Sequence, residues 1–247
     1  MSYQRIISLV PSLTELLIDL GLKDRLIGRT RFCIHPSNQV GTIPIIGGTK
    51  NPNIEKILAL EPDLVISNKE ENRKEDVEEL LKHVEVIVTE IDSIQQGLNS
   101  IDELGKKLNI EEDAKILINS ITKLIPDPSN YEPVEAAYFI WREPWMSIGN
   151  DTYINDVMKH FGLNNIFENQ ARYPVTTLKE LSIKQPKVIL LSSEPFPFKE
   201  KHAMEVRVAC PESKVVLVDG EWFSWYGSRM LPAFRELNTW RKGLLQN

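Results

Sequence analysis

The order of apolar runs in the first half of the chain is replayed in the second half, and this repetition narrows the possible folds more than any single residue does. Arg5–Val10 is a short, mostly apolar run closed by Pro11-Ser12, and Ala136–Trp141 is its counterpart. Ile54-Glu-Lys-Ile57 followed by Pro62-Asp-Leu-Val-Ile66 returns as Leu178-Lys-Glu-Leu181 followed by Pro186-Lys-Val-Ile-Leu-Leu191, 124 positions later. Gly21-Leu22 ends one amphipathic segment and Gly162-Leu163 ends another, while Val84–Thr89 returns as Val215–Val218. The matched segments stand 124 to 141 residues apart, a spacing too regular for coincidence. Short apolar runs that alternate with segments of helical period argue for an α/β fold, here in two similar lobes.

Local signals place the elements. Ser12 or Thr14 is expected to cap a helix that runs through Leu20 and stops at Gly21. Ile54–Leu60 predicts a short helix broken by Pro62, Leu64–Ile66 a buried strand, and Asp76–His83 a helix; Thr152–Phe161 is helical in the second half. Between the halves, Leu98, Ile101, Leu104 and Leu108 recur at helical spacing. Asn109 with Glu112 then has the pattern that restarts a helix before Ile116, Leu117, Ile121 and Leu124, with Pro126 and Pro128 beyond. The expected organisation is a lobe at 1–93, a connecting helical segment at 94–130 and a lobe at 131–247. The 16 positions from Ile110 to Ile125 span about 24 Å as a helix. Such a connector resists wide opening, so a ligand cleft between the lobes is expected to be largely preformed.

Composition excludes several classes. Lys and Arg number 29 against 35 Asp and Glu, for a net charge of −6, so the basic footprint of a nucleic-acid binder is missing. No run approaches the roughly 18 apolar residues of a membrane span. Ser8 splits the apolar residues of the N-terminal run, which reads as a first strand rather than a signal peptide. Two cysteines, Cys33 and Cys210, are too few for a disulfide framework. A cytoplasmic location is expected on these grounds, or a periplasmic one if a leader has been removed.

Ile6-Ile-Ser-Leu-Val-Pro-Ser-Leu-Thr-Glu15, Gly47-Gly48-Thr49 with Pro52-Asn53-Ile54-Glu55, Ile57-Leu-Ala-Leu-Glu-Pro-Asp-Leu-Val-Ile66 and Asp219-Gly-Glu-Trp-Phe223 carry a resemblance. They resemble the helical-backbone, class III substrate-binding proteins of ABC importers, which include vitamin B12 and ferric-siderophore receptors; the cobalamin branch is nearest. The resemblance spans nearly the whole chain. It implies two Rossmann-like α/β lobes joined by a long connecting α-helix, with the ligand cleft between them. It also implies a small-molecule metal chelate as ligand, such as a corrinoid or haem-like chelate, and an ABC permease partner docked through a surface carboxylate on each lobe. Glu70, Glu71, Glu75, Glu78 and Glu79 are candidates in the first lobe, and Glu194 and Glu200 in the second. Ser224 stands where the cobalamin branch carries an acid. A monomer is expected.

Ligands of open α/β sheets sit on the loops that follow strand carboxyl ends. Sorting polar and aromatic residues onto those loops selects Ser12, Arg31, His35, Glu71 and Arg73 in the first half, and Trp141, Arg142, Trp145, Tyr173, Trp222, Trp225, Tyr226 and Arg229 in the second. Tryptophans on loops suit stacking on a large planar ligand, or else cover each other. Arg31, Arg142, Arg172 and Arg229 could receive carboxylates or phosphates bidentately, or form structural ion pairs. Trp240 falls on a C-terminal helix.

Catalysis finds no positive support. Gly47-Gly48-Thr49-Lys50 lacks the Walker spacing, and neither a Gly-x-Ser-x-Gly elbow nor a zinc-protease helix is present. Cys33-Ile-His35 offers two metal-type ligands where a structural zinc needs about four, so no resident metal is expected, although His35 could reach the metal of a bound chelate. The rival to a binding protein is a cytoplasmic enzyme or cofactor chaperone on the same fold, with Cys33, His35 and Glu71 as working groups.

Overall fold

The computed structural model describes residues 3–244. In chain order the first half forms β1 (Ile6–Ser8), α1 (Pro11–Asp19), β2 (Leu26–Arg29), α2 (Ile54–Ala59), β3 (Leu64–Asn68), α3 (Lys74–Leu80), β4 (Val86–Thr89), α4 (Ile94–Leu108) and α5 (Glu111–Thr122). The second half forms β5 (Val134–Trp141), β6 (Trp145–Ser147), α6 (Tyr153–His160), β7 (Leu163–Asn165), β8 (Val175–Thr176), α7 (Leu178–Lys184), β9 (Val188–Ser192), α8 (Glu200–Ala209), β10 (Lys214–Val218), α9 (Glu221–Ser224) and α10 (Met230–Gly243). The chain divides into two compact units. One takes the chain up to Ile91 with Gln95–Ser120 and Tyr226–Leu231; the other takes Asp92–Ile94, Ile121–Trp225 and the chain from Pro232.

In the first unit a parallel sheet runs β2-β1-β3-β4, with Ile6 opposite both Leu26 and Leu64. Ile6, Ile7, Leu64, Val65 and Ile66 are fully buried, as expected of parallel strands covered on both faces. Ile7, Leu9, Ile46, Ile57, Val65 and Leu80 form one core cluster. Each such side chain contributes about 1.5–3 kcal/mol on removal from water. Helix α1 begins earlier than the sequence suggests, with its N-cap two residues before Ser12. Val10 is its N-cap and Pro11 opens it, a position where the missing N–H costs nothing. Ser12 and Thr14 therefore lie inside the first turn, and the Thr14 hydroxyl donates to Val10 O at 2.8 Å.

The second unit repeats the order. Its parallel strands run β7-β5-β9-β10, the counterpart of β2-β1-β3-β4, with Ala136 opposite Val188 and Val188 opposite Lys214. Gly21 and Gly162, the two repeated helix stops, both adopt the left-handed conformation that a helix C-terminus favours, with φ of 78° and 63°. The repeat carries one addition. The long strand β5 pairs with β7 over Val134–Ala136, then turns back into β6, which pairs antiparallel with Phe139 and Trp141 and in turn with β8. A Thr177–Glu180 capping box opens α7: Thr177 Oγ1 accepts from Glu180 N at 3.1 Å, and Glu180 Oε2 accepts from Thr177 N at 2.8 Å.

The stretch of chain between β4 and β5 forms two helices. Asn109, in the left-handed region at φ 57°, ends α4, and α5 follows after Ile110. Gly105 lets them meet, because a Cβ there would lie 2.5 Å from the Ala114 Cβ. Helix α5 has 12 residues, about 18 Å, and stops short of the expected Ile125 because the chain tightens into turns at Leu124 and Ile125 before Pro126.

Candidate functional site on the loops at the strand carboxyl ends

In the first unit one buried side chain ties three loops together. Asn72 Nδ2 donates to Thr49 O at 3.0 Å and Leu9 O at 3.4 Å, while its Oδ1 accepts from Asn68 N at 2.9 Å. Asn68 Oδ1 in turn accepts from the amides of Glu70 and Glu71, and Asn68 Nδ2 donates to Thr89 Oγ1. The loops after β1, around Gly47–Asn53 and after β3 are thereby fixed by neutral amides, and Glu71 is held half-buried on that frame. Arg73 lies outside it: its guanidinium forms a bidentate pair with Asp76 at 2.9 and 3.0 Å.

The loop after β2 is built around buried Arg29, which donates to Val40 O, Thr30 O and Cys33 O. Cys33 is fully buried, with Sγ 3.1 Å from Thr14 Oγ1 and 3.2 Å from Thr30 Oγ1, and burial pushes its thiol above the ordinary cysteine value. A reactive thiol needs the opposite shift and some exposure. With Cys33 turned in, its neighbours Phe32 and Ile34 turn out, 54% and 51% exposed, beside exposed Arg31 and half-buried His35. Phe32 and Ile34 are not among the residues the sequence selects, because the turn from Thr30 to Cys33 that sets their direction leaves no periodic signal.

Ser12 and Arg229 have structural surroundings. Ser12 is buried in the first turn of α1. Arg229 meets buried Glu15 through Nε at 3.0 Å and Nη2 at 2.5 Å. Burial raises the Glu15 carboxyl above its ordinary range, and Arg229, and more weakly His35, oppose that rise. The guanidinium expected to receive an anion is occupied by a residue of the chain itself. Tyr226 is buried in the same segment.

In the second unit the aromatic residues largely cover each other. Trp145 stacks on Phe198 with centroids 5.7 Å apart and meets Phe139 edge-on at 5.4 Å. Trp141 remains 41% exposed and, among the described residues, makes one ring contact, with the edge of Phe196 at 5.7 Å. Arg142 pairs with Glu205 and Glu143 and lies over Trp145. Tyr173 is exposed beneath the Arg172 guanidinium, 5.6 Å from its ring centroid.

Glu194 organises the remaining loops. Its Oε1 accepts from Trp225 Nε1 at 2.8 Å and lies 2.7 Å from the Ser224 hydroxyl, which is also 2.9 Å from Gly220 O. Tyr138 donates to Ser192 Oγ, Ser192 donates to Glu194 O, and Gly220 N donates to Ser193 Oγ. Burial raises the Glu194 carboxyl above its ordinary range, and the nearby charges of Glu221 and Asp219 add to the rise. Trp225 is buried and Trp222 half-buried. Glu200, the other candidate acid of this unit, pairs with Arg207.

These loops can grip a ligand through exposed apolar and aromatic faces with a few polar groups, and no three His, Cys, Asp or Glu side chains among the described residues converge as a metal site. This is the surface of a binding protein on a doubly repeated α/β scaffold. The sequence matches the periplasmic binding protein family over residues 6–205, and the chain belongs to that family. It is 25% identical over 243 residues to the vitamin B12-binding protein of Vibrio parahaemolyticus serotype O3:K6, covering 96% of this chain and 80% of the relative. The corresponding protein of Photorhabdus laumondii is 24% identical over 94% of this chain and 86% of its own length. Among solved structures, the periplasmic vitamin B12 binding protein of Vibrio cholerae superposes with a TM-score of 0.83 at 21% identity, over 99% of both chains. The periplasmic heme-binding protein RhuT from Roseiflexus sp. RS-1 superposes with a TM-score of 0.82 at 18% identity, over 98% of both chains. The two-lobed class III fold and the substrate-binding role expected from the resemblance hold. The cytoplasmic location is corrected: the family and the similar structures are periplasmic binding proteins, which points to the periplasmic side. Among the described residues no helix is long and apolar enough to cross a membrane.

Proposed function

We propose that this chain is the substrate-binding component of an importer for a cobalamin-like metal chelate, acting as a monomer that hands its ligand to an ABC permease rather than as an enzyme. One observation carries the reading: the curated relatives, named for vitamin B12 binding, align along 94–97% of this chain, so the ligand loops are included and not only the scaffold. The exposed faces of Phe32 and Ile34 in the first unit, and of Trp141 and Tyr173 in the second, supply the apolar area a large flat ligand needs. His35, Arg31, Glu71 and Trp222 are the polar and aromatic groups proposed to orient it. The thiol that an enzymatic reading would use, Cys33, is buried and its pKa is raised.

The test is titration of the purified protein with cyanocobalamin, followed by tryptophan fluorescence and calorimetry. Saturable quenching with one site per chain is expected. Failure of cobalamin, haem and a ferric siderophore to bind at tens of micromolar, where specific ligands should already be held, would remove the chelate reading.

A further inference from the structure

Glu194 is an expensive way to satisfy its partners. Ser224 and Trp225 present neutral donors to a single oxygen, Oε1, and a glutamine carbonyl would accept from both without burying a charge. No lysine, arginine or histidine pairs with the carboxylate among the described residues, and Asp219 and Glu221 repel it. The site is nevertheless built for this side chain. A Cβ at position 220 would lie 2.5 Å from Glu194 Cγ and 2.4 Å from Ser192 Oγ, so Gly220 is what lets the glutamate lie across the start of α9. The Tyr138–Ser192–Glu194 chain of hydrogen bonds fixes its backbone from below. Oε2 receives no donor from any described residue and is not among the sealed polar atoms, so it reaches solvent on the loops at the carboxyl end of β9.

We propose that Glu194 determines ligand specificity: its Oε2 accepts from an N–H or cationic edge of the bound molecule, such as a peripheral carboxamide, and turns away ligands that present a carboxylate there. A charge left without a partner inside the chain is available to a partner outside it, and a charged acceptor discriminates more sharply than a neutral one. The inference builds on the chelate-binding reading and divides its candidates. Amide-fringed corrinoids satisfy Oε2, whereas the propionates of a haem face a carboxylate with two more acids nearby.

The experiment measures cyanocobalamin and haemin binding to the wild-type protein and to Glu194→Gln and Glu194→Asp by calorimetry. The wild type is expected to prefer cobalamin, and Glu194→Gln, which keeps an acceptor for Trp225, to shrink that preference by about tenfold or more, partly by gaining haemin. Glu194→Asp keeps the charge but withdraws it by one methylene, so it should weaken cobalamin without gaining haemin. An unchanged preference in Glu194→Gln, or a wild type that prefers haemin, overturns the proposal. If neither chelate binds the wild type, the chelate reading fails on its own. The Glu194 assignment is then decided by thermal shifts with spermidine and agmatine against citrate and succinate. It survives only if the amines raise the melting temperature of the wild type and not of Glu194→Gln, and falls if carboxylates do so or if nothing does.

Discussion

Arg229 closes a bidentate ion pair on Glu15 across 214 residues of sequence, with Nε and Nη2 each on a separate carboxylate oxygen. The pair joins Tyr226–Leu231, near the end of the chain, to the first helix of the first unit. Glu15 is nine-tenths buried, so its charge depends chiefly on this guanidinium. Arg229→Ala should lower stability by about 3 kcal/mol at neutral pH in urea unfolding. That is the lower part of the range for a broken buried pair, because Arg229 keeps 19% of its side chain exposed. The loss should be smaller when measured at pH 5, because Glu15, raised further by burial once its partner is gone, is more readily protonated there. An equal loss at both pH values would show that packing, not charge, is responsible.

The raised carboxyl of Glu194 gives a signed pH dependence. The folded chain holds that proton more tightly than the unfolded chain. Between the ordinary glutamate range and the raised folded value, the native state therefore binds more protons, and stability falls as pH rises. Glu194→Gln removes this contribution. The stability of the variant minus that of the wild type should increase from pH 4 to pH 7, as read from melting curves across that window. A flat difference would mean that the folded and unfolded chains titrate this group alike.

Much of the frame could be read from the residues, because parallel strands buried on both faces leave unbroken apolar runs such as Leu64–Ile66 and Val188–Leu191. β2, with Gly28 and Arg29 in it, and the three-residue β7 left no such run. β6 and β8 were illegible for another reason: they are three and two residues long, and they pair across a gap that holds a helix and a strand. The candidate site was legible as a set of loops, since strand ends fix where loops emerge. Which side chains on them stay available was not. Trp145 and Trp225 read like Trp141 in one dimension, yet Phe198 covers one and Glu194 holds the other. Arg73 and Arg229 likewise read as open cations until Asp76 and Glu15 are placed beside them.

Gly220→Ala tests the seat of the glutamate without touching it. The glycine has ordinary helical dihedrals, φ −63° and ψ −33°, so alanine brings no backbone strain. Its methyl collides with Ser192 Oγ and Glu194 Cγ instead. A loss of about 1–3 kcal/mol is expected, the usual cost of overpacking, together with a red shift of tryptophan emission as Trp225 loses its acceptor. A destabilised variant with unshifted emission would place the strain at Ser192 alone.

Both cysteines are buried, Cys33 fully and Cys210 to 4% exposure, and burial raises both thiols. The native protein should react with a thiol reagent at pH 8 only on the timescale of opening, and release two equivalents at once in denaturant. Elemental analysis should find no stoichiometric zinc, because Cys33 Sγ faces Thr14 and Thr30 rather than His35 or a second thiol. About one zinc per chain, lost in Cys33→Ala, would reopen the enzyme or chaperone alternative.

Trp141 and Trp145, four residues apart across the β5–β6 turn, should part company under mutation. Trp145 is stacked on Phe198 and edge-packed on Phe139, half-buried against the cluster that holds Leu191 and Val206. Trp145→Ala should therefore cost about 3 kcal/mol or more of stability, as truncation of a packed aromatic does. Trp141 leaves 41% of its surface open and, among the described residues, meets one ring edge. Trp141→Ala should change stability by less than about 1 kcal/mol while weakening chelate binding by about 1–3 kcal/mol, the range for losing a contact that becomes buried only in the complex. Melting temperature and affinity measured on the same preparations separate the two residues. Equal stability losses would assign Trp141 to the aromatic core. An unchanged affinity in Trp141→Ala would move the ligand contact of this unit to Tyr173 and Trp222.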